Sequence, residues 1–366
     1  LDKGTARFDA DAIADQLEGR GASLGVGAGR HQIVVNATCL ADDIGAVLPV
    51  ACEVARHPSF PEHEVATRRA ELLTTIQEAA DDPGSVAVDA LNATLYPAGH
   101  PLGRPVRGTA ESVGGLTREA LVAFHRQHVT PGATLAVAVG DLPPDELADR
   151  IAAECGDWTG TAVATTVAPA PAARHDRTLV VKAMPDKAQA DVAYGFVGLS
   201  RRDPDYYAAL VMNNALGQYA LGGRLGDSIR ERQGMAYYVY SGMDAGVDAG
   251  PIMVRAGVSA ANVERTIASI DFELATILRD GFTRAEVDDA KRYLVGSLPR
   301  QLETNAGIAG FLLSVETYGL GVDHDRRLPS LIGAVTFDDV MRVARRLLDP
   351  ARAVVVVAGP WSGAAA

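Results

Sequence analysis

TREALVAFHRQHVTPGATLAVAVG (residues 117–140) aligns without a gap on TFDDVMRVARRLLDPARAVVVVAG (residues 336–359). Thr117 meets Thr336, Pro131 meets Pro350 and Gly140 meets Gly359. Each stretch reads as a threonine-capped helix, a proline stop and an apolar strand closed by glycine. A second pair, FPEHEV (60–65) and FTRAEV (282–287), opens a long helix in each half. Matches this far apart indicate duplicated domains of roughly 180 residues, not a short solenoid repeat.

The joint between the halves is TGTAVATTVAPAPAARH (159–175), rich in Ala, Thr and Pro. It makes a poor helix and a poor strand and suits an extended linker. The expected organisation is a first domain over 1–157, a linker over 158–177 and a second domain over 178–366. In the first half, Asp9 or Asp11 caps a helix carrying Ile13 and Leu17. SLGVGAG and HQIVVNATCL follow as two strands joined by a glycine turn. Helices are expected near 42–56, 62–80 and 84–95, and a strand over 133–139 after the helix from Thr117. In the second half, strands are expected near 178–183, 189–197, 237–243 and 251–258. Its helices fall near 204–219, 224–232, 261–280, 284–302 and 304–318. Strands in adjacent groups and helices in runs predict an α+β fold. The expected architecture is two homologous domains, each an antiparallel-rich mixed sheet covered by helices on one face.

The 366 residues are 48% hydrophobic and 22% charged, which is enough to bury real cores. No apolar run approaches the roughly 20 residues that span a bilayer, so no membrane span is expected. With 46 acidic and 34 basic side chains the net charge is -12. That balance argues against a nucleic-acid partner, which favours a basic surface. The three cysteines, Cys39, Cys52 and Cys155, are odd in number and lack C-x-x-C spacing. This argues against a disulfide framework or a zinc ribbon, and Cys39 and Cys52 read as small buried hydrophobes. A reducing compartment fits, and a cytoplasmic location is expected.

Several motifs carry no chemistry of their own. GVGAG (25–29) sits between two strands with no helix after it, so it reads as a hairpin turn and not a phosphate cradle. Tyr206, Tyr207 and Tyr219 lie on an apolar helix and read as packing residues. Ser241 has no adjacent histidine base. His57 and His63 are separated by two prolines, and no Glu lies between His125 and His128, so neither pair reads as a zinc site.

Seven segments together resemble the pitrilysin/insulinase family of zinc peptidases, which includes the mitochondrial processing peptidase. In order they are LDKGT, LEGRGASLGVGAGRH, HPSFPEHEV, DDPGSVA, YPAGHPLGRPVRGTAESV, AFHRQHVTPG and GGRLGDSIRERQGMAYYVYS. The resemblance covers nearly the whole chain and implies the same duplicated α+β architecture. It also implies an inverted metal motif, H-x-x-E-H, with two histidine ligands and a glutamate base. That motif is absent from residues 1–366. The family places it just before the segment resembling LDKGT, so the natural chain is expected to begin upstream of Leu1. A glutamate on a later helix is the family's third ligand. On the shared D-D-P alignment, Thr74 and Thr75 stand where active members carry Glu-Glu, and a hydroxyl is a poor zinc ligand. Glu71 and Glu78 lie one turn to either side. Asp2 also replaces a residue that is apolar in active members. The first domain is therefore expected to have lost its metal site, so this chain itself holds no metal or other cofactor.

In the second domain the resemblance assigns Arg230 and Tyr237 as substrate-binding residues. A guanidinium presents a rigid fork of donors to peptide carbonyls, and a phenol donates one more. Tyr238 is expected to point away from Tyr237, because a strand alternates faces. The plainer alternative pairs Arg230 with Glu231 or Asp227 and leaves Tyr237 to pack. The leading reading is a non-catalytic half whose partner, a homologous subunit or a fused half, carries the zinc, with an extended peptide as substrate. The second reading is an active endopeptidase whose metal helix lies upstream of Leu1. The third is a structural core subunit without peptidase activity.

Overall fold

The computed structural model describes residues 1–162, 168, 171, 174–218 and 222–363. Part of the expected linker and Tyr219 lie outside these. In chain order come α1 (Ala10–Glu18), β1 (Ser23–Ala28), β2 (Ile33–Thr38), α2 (Ile44–Arg56), α3 (Glu62–Asp81) and α4 (Pro83–Leu95). Then follow α5 (Arg118–His128), α6 (Pro144–Cys155), β3 (Thr178–Ala183), β4 (Ala190–Val197) and α7 (Tyr206–Gly217). The chain continues through β5 (Ala236–Met243), β6 (Pro251–Val258), α8 (Val263–Asp280), α9 (Arg284–Gln301) and α10 (Asn305–Tyr318). It ends with α11 (His324–Ala334), α12 (Phe337–Leu347) and β7 (Val354–Gly359). These elements form two compact units that interleave along the sequence. One comprises Leu1–Gln77, Val106–Thr166 and Thr304–Leu313, the other Glu78–Pro105, Val167–Glu303 and Ser314–Ala366.

In the first unit, β1 and β2 form the antiparallel hairpin expected around the glycine turn. The Asp9 side chain caps α1 by accepting from the Ala12 amide. The helical spacing of Ile13 and Leu17 then turns both into a core with Val47, Val50 and Val54 of α2. Arg118 at the start of α5 donates to the carbonyls of Ser59 and Phe60 at 2.7 Å, tying α5 to the turn before α3.

The second unit is built on a five-stranded sheet of order β3-β7-β4-β6-β5. Only the β3–β7 pair is parallel. The strands read with period two. Val192, Tyr194 and Phe196 of β4, Ile252, Val254 and Ala256 of β6, and Val355 and Val357 of β7 face one core. Helices α7, α8, α9 and α12 contribute to that core. Alternate residues Ala193, Val354, Val356 and Ala358 turn to the opposite face. There Ala87, Leu91 and Leu95 of α4 cover them. Gly195 permits this close approach, since a Cβ there would lie 2.7 Å from Leu91 Cδ2. The sheet is thus buried on both sides, which explains the unbroken VVVV of β7.

The duplicated segments fold alike as far as the proline turn. Thr117 caps α5 and Thr336 caps α12, the latter in a reciprocal box with Asp339. Short 3₁₀ turns follow at Pro131–Ala133 and Pro350–Arg352. The two then diverge. Residues 354–359 insert as β7 between β3 and β4, whereas the strand expected over 133–139 does not form. Among the described residues, β1 and β2 pair with each other and 134–139 pair with no strand.

Candidate functional site

The site segment begins where Gly223 comes against Gly217 at the end of α7. Gly217 and Gly223 both take positive φ, and a Cβ on Gly223 would lie 2.7 Å from Gly217 Cα. Only glycine fits such an approach of backbone to backbone. The short helix Gly223–Leu225 runs directly into a π-helical stretch, Gly226–Arg232. Wide turns of this kind are rare and concentrate at functional sites.

Three side-chain contacts hold the stretch in place. Arg224 donates to both Glu286 oxygens, Nε to Oε1 at 2.7 Å and Nη2 to Oε2 at 2.6 Å. Burial alone would push the Glu286 carboxyl up, but Arg224 and Thr283 outweigh it and hold it below the usual range. The buried Ser228 hydroxyl donates to Glu273 of α8 at 2.6 Å. Ile229 is fully buried in the core. Beside these contacts a groove of about 440 Å³ opens toward α8, lined by Ser228, Arg232, Gln233, Ser269, Phe272 and Glu273.

Arg230 leaves this stretch with its side chain 34% exposed and its Nε 3.9 Å from Glu231 Oε1. Asp227 is engaged by Arg232 at 3.0 Å instead. Tyr237 lies just beyond, on β5, at 63% exposure. The ladder explains that exposure. Ala236 pairs with Val258 and Tyr238 with Gly257, so Tyr237 is the extra residue of a β-bulge. A bulge re-aims its side chain and breaks strict alternation. The face assignments after it follow the expected pattern, with Val239 in the helix-covered core and Tyr238 and Tyr240 on the other face.

Tyr238 and Tyr240 are committed to a polar cluster. The Tyr238 hydroxyl donates to Asp191 Oδ2. Arg255 Nη2 donates to Asp191 Oδ1 at 3.0 Å and to the Tyr238 oxygen at 3.2 Å, and its Nη1 reaches the Tyr240 oxygen at 3.3 Å. Burial, reinforced by Asp191, pushes the Tyr238 phenol well above its ordinary range, so it remains a donor. Two glycines make room for the cluster. A Cβ on Gly257 would meet the Tyr238 ring at 2.5 Å, and one on Gly84 would meet Arg255 Nη2 at 2.5 Å. Asp82 caps α4 beside it, accepting from the Ser85 amide at 2.7 Å. Sequence reading missed Asp191 and Arg255, although a charge inside an otherwise apolar strand is itself a signal of a buried pair.

The residues that could mark a metal site are engaged elsewhere. The Thr74 and Thr75 hydroxyls donate back to the Ala70 and Glu71 carbonyls, both at 3.1 Å. Glu71 pairs with Arg68 at 2.6 Å. His63 is solvated beside Glu64. His125 is buried, with Nε2–H donating to the Ala55 carbonyl at 2.7 Å and its ring edge on Phe60. His128 lies against the Phe124 ring. Among the described residues no group of three or more His, Cys, Asp or Glu side chains could hold a metal ion. A zinc ion does not fit the described residues. Ser241 is buried, donating to the Asn213 carbonyl at 3.1 Å. No helix among the described residues is long and apolar enough to cross a membrane.

Comparison with known proteins shows which family this α+β chain belongs to. The family model described as insulinase (peptidase family M16) matches residues 1–110, and the peptidase M16 inactive domain matches residues 115–294. An uncharacterized zinc protease of Mycobacterium tuberculosis is 30% identical over 361 residues, covering 95% of this chain and 79% of the relative. A probable mitochondrial-processing peptidase subunit beta of Arabidopsis thaliana is 26% identical, covering 98% of this chain and 68% of the relative. The crystal structure of a peptidase M16 inactive domain from Pseudomonas fluorescens superposes with a TM-score of 0.90 at 29% identity, covering 99% of this chain and 86% of that one. A protease from Helicobacter pylori shares the fold, with a TM-score of 0.85 at 15% identity over 98% of this chain and 87% of that one. The chain belongs to the insulinase (M16) peptidase family.

Proposed function

We propose that this chain is the non-catalytic half of a zinc peptidase, closing the chamber and gripping substrate peptide through Arg230 and Tyr237. A homologous subunit or fused half carries the metal, its ligands and the general base. The observation that carries the reading is Tyr237, which stands exposed at a bulge while Tyr238 and Tyr240 are consumed by Asp191 and Arg255. An exposed phenol on a strand anchored by its neighbours can donate to a peptide carbonyl without reorganising. Arg230, on a stretch pinned by Glu286 and Glu273, supplies the planar cation that suits an extended backbone. The match to an inactive domain and the misfit of zinc to the residues present support a partner as the seat of the chemistry.

The test reconstitutes the chain with its zinc-bearing homologue and follows cleavage of an extended peptide. Arg230→Ala and Tyr237→Phe are expected to lower kcat/KM, by roughly 10²-fold for a lost transition-state donor, without preventing assembly. Unchanged turnover in both variants removes the assigned roles. Stoichiometric zinc in the purified chain alone overturns the non-catalytic reading.

A further inference from the structure

The end of α6 is locked against α2 by contacts that do not involve sulfur. Arg56, one turn beyond Cys52 on α2, donates Nη1 to the Glu154 carbonyl and Nη2 to Asp157, both at 2.5 Å. Its guanidinium carbon lies 5.9 Å from the centre of the Trp158 ring. Gly156 closes α6, with its amide donating to Ala152 at 2.8 Å, and a Cβ there would lie 2.4 Å from that carbonyl oxygen. Val50 and Val54 fix the facing side of α2 in its core. This frame sets Cys52 Sγ 2.6 Å from Cys155 Sγ, across a separation of 103 residues. Both residues are only partly buried. The sulfurs sit about half an ångström beyond the S–S bond length of about 2.05 Å. The odd cysteine count argues against a disulfide framework and reads Cys52 as a small buried hydrophobe, whereas the tertiary structure leaves it half-buried with its sulfur beside that of Cys155.

We infer that Cys52 and Cys155 form a redox-active thiol pair that small-molecule disulfides convert to an intramolecular disulfide, linking α2 to the end of α6. Burial, aided by the neighbouring Cys155, pushes the Cys52 thiol up to about 12. One thiol of the pair, as its thiolate, attacks one sulfur of the small disulfide, whose S–S bond breaks and releases a thiolate that takes up a proton. The other thiol then gives up its proton and attacks the protein sulfur of the mixed disulfide, expelling the second small thiolate, which takes up a proton. Two cysteine thiols are oxidised and one small disulfide is reduced to two thiols.

The test treats the reduced 366-residue chain with oxidised glutathione and measures intact mass and free thiols under denaturing, non-reducing conditions. The expected result is a loss of about 2 Da, the two thiol hydrogens, with a Cys52–Cys155 cross-linked peptide after digestion. The free-thiol count should fall from the three of the chain to one, Cys39. Cys39→Ser should lose the same mass and retain no thiol. Cys52→Ser should stop at the mixed disulfide, with a glutathione adduct on Cys155. Three thiols persisting in the oxidised wild type, or a cross-link that includes Cys39, overturns the proposal.

Discussion

Gly257→Ala tests whether the polar cluster beneath β5 is as tightly built as its geometry implies. A Cβ at this position would lie 2.5 Å from Tyr238 Cε1, 3.0 Å from Cδ1 and 3.1 Å from Cζ. To reach ordinary contact at 3.4 Å or more, the ring must withdraw by roughly 0.9 Å. It cannot do so freely, because its hydroxyl is bound to Asp191 and receives Arg255 Nη2 at 3.2 Å. Overpacking costs about 1–3 kcal/mol, and weakening a hydrogen bond to a charged group costs about 1.5–3 kcal/mol. Combining the middle of the first range with part of the second gives an expected destabilisation of about 3 kcal/mol. For a unit of this size that corresponds to a fall in Tm of roughly 6–12 °C. Thermal and urea unfolding of the purified protein, followed by circular dichroism, measures it. The decisive control is Tyr238→Ala. With the ring gone, the added methyl has space, so the double variant should be no less stable than Tyr238→Ala alone. The reasoning is refuted if Gly257→Ala costs under about 0.5 kcal/mol, or if the two costs simply add.

Two further perturbations probe separate parts of the molecule. Leu91→Ala removes a fully buried side chain that packs against β4 at Gly195, and should cost about 2–5 kcal/mol in urea unfolding; a loss below 1 kcal/mol would mean that α4 does not seal that sheet face. Burial holds the pKa of His125 below the ordinary 6.5, against the opposing pull of the Ala55 carbonyl. The unfolded chain therefore takes up its proton first on acidification. Stability from this residue is complete above pH 6.5 and is lost as pH falls from there through the folded pKa. His125→Gln should flatten that decline between pH 7 and pH 5, and an identical pH slope in both proteins would show that the ring does not carry it.

Much of the architecture was legible because it is encoded by near neighbours. Threonine caps, proline stops and period-two strands repeat within a few positions, and all five strands of the large sheet lie where such patterns put them or within a residue or two. The same local grammar was incomplete for α6 and α11. Leu147 is the single buried residue of α6, and Pro329 interrupts α11, so the apolar stripe of each is thin. The surrounding motif proposes Arg230 and Tyr237 as candidates, since they belong to one continuous segment.

The chain by itself determined that it is a duplicated α+β protein, and which segment bears the arginine and tyrosine. The tertiary structure alone decided which apolar run becomes a strand, since 354–359 finds two partners and 134–139 finds none. It also decided that Tyr237 is the residue turned outward by a bulge, that Asp191 and Arg255 close over Tyr238, and that Cys52 meets Cys155. Periodicity reports the environment of a residue from those a turn away. The identity of a partner 47, 64 or 103 positions distant depends on the path of the whole intervening chain.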